Sequence, residues 1–212
     1  MLYKRLIMKR ILVIVAAIIM SSTMYAQLGN LLYFNSGGQI SVQWNMASPM
    51  GDTKDFTSNY SYSGISIDYR HCYKQNIIIG GRTGWNGFYE NKGLSNVENG
   101  TTTTYSRLEN KINAIPILFI VDYMVPSNKF IPYVGIGIGG YFINSSVSSD
   151  IIGTQNTNSF HFGVSPEVGI TIPFIISNFG LNLSTRYNYV VKTSKTTNFS
   201  WFDFNIGLSF MY

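Results

Sequence analysis

Several residue types are scarce in this 212-residue chain, and each scarcity excludes a class of site or structure. A single cysteine, Cys72, rules out an internal disulfide. With only two histidines and 12% charged residues, the sequence has no cluster of metal-ligating residues and predicts no metal or other cofactor. The longest apolar run, residues 11–20, is about half the ~20 residues that a membrane-crossing helix needs. Aromatic residues, by contrast, make up 15% of the chain.

The first 26 residues have the three-part layout of a secretory signal peptide. Basic residues precede the apolar run, and small and polar residues 21–27 follow it; the basic residues are Lys4, Arg5, Lys9 and Arg10. We predict translation from Met1 or Met8, cleavage after Ala26, and one domain over residues 27–212. Removing the leader takes away four of the 15 basic residues and none of the 10 acidic ones, so the formal net charge falls from +5 to +1. Such a charge gives no support to nucleic-acid binding.

The rest of the chain alternates apolar and polar residues with a period of two, which is typical of strands with two different faces. Eight segments show it: 39–47, 64–73, 76–89, 105–125, 130–143, 160–172, 181–189 and 201–212. Pro116 and Pro166 interrupt two of them and belong at irregular positions, because proline cannot donate to a strand ladder. Long polar connections (48–63, 90–104, 144–159, 190–200) alternate with short ones (74–75, 126–129, 173–180).

This pattern predicts an all-β fold, an eight-stranded antiparallel up-and-down transmembrane β-barrel with long external loops and short periplasmic turns. Both termini then lie in the periplasm, and the localisation is the outer membrane of a Gram-negative cell. Aromatic residues near the segment ends suit interfacial girdles: Trp44, Tyr69, Tyr73, Trp85, Phe88, Tyr89, Tyr123, Tyr133, Tyr141, Tyr187, Tyr189 and Trp201.

Eight strands enclose a lumen that side chains just fill, which argues against a general porin. The alternation places three basic and three acidic residues inside: Asp68, Arg70, Arg82, Glu167, Arg186 and Asp203. Because buried charges are retained mainly when they are paired, we predict a salt-bridged plug, with the Arg82 and Glu167 pair as its first test. The alternative is a narrow, gated path for ions or solutes.

The chain ends on a second recognisable pattern. Its spacing, polar-x-Gly-x-x-aromatic-x-aromatic, is formed by Asn205, Gly207, Phe210 and Tyr212. It resembles the C-terminal signal by which the outer-membrane barrel assembly machinery recognises its substrates. The partners that this implies are that machinery, periplasmic chaperones and outer-membrane lipid.

Three motifs extend the resemblance over the whole mature chain: residues 48–52 (SPMGD), 64–69 (GISIDY) and 132–139 (PYVGIGIG). Together they resemble the small outer-membrane β-barrel family that groups OmpA-, OmpX- and OmpW-like domains. The resemblance implies an outer-membrane barrel with a structural or surface-interaction role, or else a narrow OmpW-like channel for small or hydrophobic solutes. A secreted, lipocalin-like soluble barrel is the third hypothesis, and it would place apolar residues inside.

Catalysis has one local candidate, His161 with Ser165 or Glu167. All three are predicted on the lumen side of one strand, where an acyl chain in the outer leaflet does not reach them. A histidine beside a carboxylate is more often part of a structural network, so we predict that the protein is not an enzyme and has no catalytic residues.

Overall fold

A computed structural model describes residues 37–74, 76–99, 102–125, 130–149, 153–174, 177–193 and 196–212. The predicted signal peptide and the turn at 126–129 lie outside the described residues. The elements are β1 (Gly38–Met50), α1 (Asp52–Phe56), β2 (Ser61–Lys74), β3 (Ile77–Asn99), β4 (Thr102–Met124), β5 (Ile131–Ser149), β6 (Gly153–Pro173), β7 (Phe179–Val190) and β8 (Phe199–Met211). The described residues include no helix long and apolar enough to span a membrane.

The strands form a closed antiparallel barrel in sequence order. β8 closes it against β1, in a register that runs from the Gln39 and Met211 pair to the Met50 and Ser200 pair. Closure pairs the backbone groups that an open sheet leaves exposed at its edges. The prediction of an eight-stranded antiparallel up-and-down barrel is confirmed.

The two faces of the wall differ as the alternation predicts. In β1, the outward Ile40, Val42 and Trp44 are exposed, whereas the inward Gln39 and Ser41 are buried. The other strands repeat the pattern, so an apolar outer surface surrounds an interior that contains many polar groups. The arrangement is the opposite of a lipocalin-like barrel, and that hypothesis is wrong.

Two of the predicted long loops are in fact strand. The segments 90–104 and 144–159 mostly extend the β3–β4 and β5–β6 hairpins, which pair as far as Asn99 with Thr102 and Ser149 with Gly153. β4 also pairs with β5 as far as Leu108 and Ser149. β3 to β6 therefore continue as a four-stranded sheet past the last paired residues of β7, and we name it the protruding sheet. The sequence pattern does not show this because residues 153–158 of β6 are exposed on both faces of the strand, and such a segment has no apolar alternation.

The two irregular prolines occupy gaps in the ladders. Between β3 and β4, pairing skips from Thr83 and Ile117 to Asn86 and Ala114, which leaves out Pro116. Between β6 and β7 it skips from Val164 and Tyr189 to Glu167 and Arg186, which leaves out Pro166. The register is the same on both sides of each gap, so each proline removes local pairing without moving the strands.

Close approach explains two glycines. A Cβ on Gly135 would overlap the Asp122 carboxylate from the neighbouring strand, so this glycine makes room for a charged side chain in the lumen. A Cβ on Gly207 would overlap the backbone oxygen of Val42 across the β1–β8 closure. The closure of the barrel therefore requires glycine at position 207, independently of any recognition of the C-terminal pattern.

Candidate functional site

The lumen is the candidate site, and its side chains fill it in layers between the two ends of the barrel. We call the end that carries α1 and the protruding sheet the loop end, and the end that carries the β2–β3, β4–β5 and β6–β7 connections the turn end. An apolar cluster lies at each end, and charged and amide side chains fill the space between the clusters.

The middle of the lumen holds an ion-pair cluster. Arg82 binds Asp68 through two nitrogens, Nε at 2.7 Å and Nη2 at 2.9 Å, and also contacts Glu167. Arg70 reaches three carboxylates: Asp122 at 2.7 Å, Asp68 at 2.8 Å and Glu167 at 3.2 Å. Each of these five side chains is at most 2% exposed. They come from four strands, so the cluster ties opposite parts of the wall together.

Uncharged groups complete the cluster. The Tyr133 hydroxyl donates to Glu167 at 3.1 Å, and the Arg70 guanidinium lies 4.8 Å from the Tyr133 ring centroid. Arg186 is more loosely placed, at 3.7 Å from Glu167 and 3.9 Å from Asp68, and donates to Gln43 at 2.8 Å. Buried ions are costly unless their hydrogen-bonding capacity is met, and these contacts supply much of it.

Asp203 belongs to a different layer. Its carboxylate accepts a hydrogen bond from Asn188 at 2.7 Å. Within the described part of the chain it makes no ion pair within 4 Å, although Arg186 is its register partner. The six charged residues predicted for the lumen therefore all face inward. Five of them belong to the ion-pair cluster, together with Asp122, and the sixth, Asp203, lies beside it. The role of the set as a plug stays a prediction.

An apolar layer closes the loop end of the lumen. Trp201, 1% exposed, contacts the edges of Phe88 and Tyr141 at centroid distances of 5.9 and 5.8 Å. The predicted girdle is wrong for four of its members, Phe88, Tyr133, Tyr141 and Trp201, which are buried inside. They lie at the inward positions of their strands, where large rings fill the barrel near its ends.

The helix α1 lies over this aromatic layer. Phe56 packs against the buried cluster, and its carbonyl oxygen accepts a hydrogen bond from Asn110 at 2.6 Å. Thr53 is fully buried and accepts a hydrogen bond from the Ser200 backbone at 2.7 Å. Nearby, Glu90 accepts hydrogen bonds from both the backbone and the hydroxyl of Ser58. The β1–β2 connection is thus folded inward over the opening.

The turn end is closed by a smaller apolar cluster, whose members are Ile78, Met124, Ile131, Tyr133 and Met211. All five are at most 5% exposed. The lumen is therefore less polar than the sequence predicts, since apolar layers lie on both sides of its charged middle.

The candidate catalytic residues do not converge. His161 contacts the Ser159 hydroxyl and the Val191 carbonyl, each at 2.8 Å. Ser165 donates to Asn188 at 3.1 Å, and Glu167 lies in the ion-pair cluster. No group of His, Cys, Asp and Glu among the described residues is placed to hold a metal ion.

The residues of the C-terminal pattern lie on both faces of β8. Asn205 is buried in the lumen and donates to Ser184 at 3.1 Å, and Gly207 lies at the β1–β8 closure. Phe210 and Tyr212 face outward, and the Tyr212 hydroxyl donates to the Tyr69 hydroxyl at 3.0 Å. This placement leaves recognition by the assembly machinery a prediction.

Comparison with known proteins supports the fold. No protein-family profile and no characterised sequence matches the chain. Among solved structures, Ail, the attachment invasion locus protein of Yersinia pestis, is similar with a TM-score of 0.51 and 13% identity over 84% of this chain and 99% of Ail. Neisserial surface protein A gives 0.47 and 14%, over 82% and 96%. The N-terminal barrel domain of Pseudomonas aeruginosa OprF gives 0.43 and 14%, over 84% and 99%.

The fold and this likeness define the class of the protein, a closed eight-stranded β-barrel with the fold of outer-membrane barrel proteins. Within that class its architecture is that of the small eight-stranded OmpA-, OmpX- and OmpW-like barrels, as the sequence motifs indicate. Its outer surface is apolar, as is typical of barrels whose outer face lies against membrane lipid.

Sequence reasoning missed two members of the ion-pair cluster. Asp122 lies on the inward face of β4, in a segment whose other inward residues are mostly apolar, such as Leu118 and Ile120. Tyr133, whose hydroxyl completes the cluster, lies near a strand end, where the sequence pattern predicts a girdle residue. The two-residue alternation was the available signal. Asp122 and Met124 are two residues apart and share the inward face of β4, so every second residue before them faces the lumen and the others face outward.

Proposed function

We propose that the protein is a closed barrel of the outer membrane that acts through its outward-facing surface, as a structural or surface-interaction protein, and is not an enzyme. The observation that carries this proposal is the filled lumen. A solute would have to pass α1, the Trp201 layer, the ion-pair cluster and the cluster around Ile131 in turn. Displacing charges that are paired at 2.7 to 2.9 Å and nearly fully buried is costly, so the resting barrel does not conduct.

The orientation follows from the lengths of the connections. Outer-membrane barrels have short periplasmic turns and longer extracellular connections. We therefore place the turn end and both termini in the periplasm, and α1 and the protruding sheet outside the cell. Before insertion, the exported chain binds periplasmic chaperones and the barrel assembly machinery. The pattern ending at Tyr212 is the proposed recognition signal for that machinery.

The protruding sheet supports the surface-interaction role. A rigid scaffold that presents exposed polar strands is a common platform for binding. In β6 the residues 153–158 are all exposed, and Asn144, Ser148 and Thr154 make polar contacts across the hairpin.

Single-channel recording in planar bilayers tests the closed lumen. We expect silence from the wild type, and openings from Glu167→Ala and Arg82→Ala because each leaves a buried charge without its partner. Val168→Ala is the matched control, since Val168 is adjacent to Glu167 but faces outward and is 53% exposed. Every variant must first show a fold-dependent shift in gel mobility before and after boiling.

Steady conductance by the wild type would refute the closed lumen. The narrow OmpW-like channel would then become the leading function. Silence in both charge variants would place the barrier in the two apolar layers instead of the ion pairs.

A further inference from the structure

The outer wall has a sharp boundary between apolar and polar residues on β4, β5 and β6. Ile115, Phe142 and Phe160 lie side by side in one row, as register partners across the three strands. The next outward row toward the loop end contains three asparagines, Asn113, Asn144 and Asn158, which are also register partners. The change from hydrocarbon-facing to water-facing residues thus occurs at one level on all three strands.

A groove of about 350 Å³ lies at this boundary. Its lining comes from both rows, together with Ile143 and Ser159. The rings of Phe142 and Phe160 form its apolar part, with centroids 4.9 Å apart and an interplanar angle of 58°. A lipid molecule has the same division at this depth, with acyl chains below the boundary and a head group above it.

The polar part of the groove is rich in carboxamides. Asn144 donates to Asn158 at 2.5 Å, and within the described part of the chain neither makes another side-chain hydrogen bond. The Asn158 amino group, the second N–H of Asn144, and acceptor positions on both carbonyl oxygens remain for a ligand. Neutral donors and acceptors side by side match the hydroxyl and amide groups of a sugar better than they match a compact zwitterionic head group.

One cation lies just beyond this row. Lys111 is exposed on the same face of β4 as Asn113, two residues along the strand, and its register partner on β5 is Ser146. An ammonium in this position suits a phosphate carried by the sugar.

From this arrangement we propose that the groove is a binding site for a phosphorylated glycolipid of the outer leaflet. The first sugar contacts the three asparagines, the phosphate contacts Lys111, and an acyl chain lies against Phe142 and Phe160. The site rests on the proposed orientation, which places this boundary in the outer leaflet, and it is independent of whether the lumen conducts.

Native mass spectrometry of the full protein, extracted in a mild detergent from an outer membrane in which it was expressed, tests the site. The probes are diphosphorylated hexa-acyl lipid A, the same lipid after dephosphorylation, and phosphatidylethanolamine, added at equal concentrations. We expect the wild type to retain the phosphorylated glycolipid at least tenfold better than phosphatidylethanolamine. The double variant Asn144→Leu/Asn158→Leu should lose about tenfold, which corresponds to about 1.4 kcal/mol and matches the loss of one or two hydrogen bonds. Lys111→Ala is expected to remove only the preference for the phosphorylated form.

The matched control is Ser63→Leu, an exposed polar residue near the loop end of β2 that does not line the groove. It should bind the glycolipid as the wild type does. Equal retention of all three lipids by the wild type, or undiminished glycolipid retention by the double variant, would overturn the site. A preference for phosphatidylethanolamine would overturn it and also refute the orientation, whereas the conductance result would be unaffected.

Discussion

Replacing Asp68 by asparagine should destabilise the barrel strongly, and more than the same replacement at Asp122. Asp68 is fully buried and accepts hydrogen bonds from Arg82 at 2.7 and 2.9 Å and from Arg70 at 2.8 Å. Asn is nearly the same size, so packing is preserved while one negative charge is lost between two guanidinium groups. Removing one partner of a buried ion pair costs about 3 to 5 kcal/mol, and with two arginines affected we expect the upper end of that range.

Asp122→Asn is the graded comparison. Asp122 is 2% exposed, and among the described residues its one ion pair is with Arg70, at 2.7 Å, while Arg70 keeps Asp68 and Glu167. We therefore expect the lower end of the same range, about 3 kcal/mol. Ser66→Ala, on the inward face of β2 next to the cluster, controls for perturbation of the strand and should cost about 1 kcal/mol through its hydrogen bond to Asn45.

The assay is reversible urea unfolding in lipid vesicles, followed by the fluorescence of the three tryptophans. The double variant Asp68→Asn/Arg82→Gln should be less destabilised than the sum of its single variants by at least about 1 kcal/mol, because the two residues are in contact. A loss below about 1 kcal/mol for Asp68→Asn, or a larger loss for Asp122→Asn, would refute the view that these ion pairs hold the barrel interior together.

Three further predictions concern the loop end and the closure. Trp201→Ala should cost about 3 to 5 kcal/mol in urea unfolding, because it leaves a cavity between Phe88 and Tyr141; an unchanged midpoint would contradict the aromatic layer. Gly207→Ala should lower the yield of gel-shifted, folded barrel, whereas Gly81→Ala, whose Cβ would have its nearest contact at 3.7 Å, should not; equal yields would show that the closure tolerates a Cβ. Thr53→Val should cost about 1 kcal/mol and speed proteolysis in the α1 segment, through loss of the hydrogen bond to the Ser200 backbone; unchanged cleavage would argue that other contacts hold α1.

The prediction that worked best was the one with the simplest physical basis. A wall between lipid and an enclosed interior imposes a two-residue period, so eight segments and their inward and outward faces follow from the sequence. The same rule places Arg82 and Glu167 inside, and their ion pair is present. It fails where a strand has no apolar face: residues 153–158 of the extended β5–β6 hairpin are all exposed and have the composition of a loop.

The sequence by itself therefore determined the number of strands, their order and the faces of most residues, because these depend on local periodicity. Only the tertiary structure decided which inward side chains meet. Contacts across the lumen depend on the height and angular position of each residue around the barrel, and these are set by the register of all eight strands together. For this reason the sequence does not show that Asp122 belongs to the ion-pair cluster and that Asp203 lies outside it. It also does not show that Trp201 lies at the centre of an interior layer and not in the girdle.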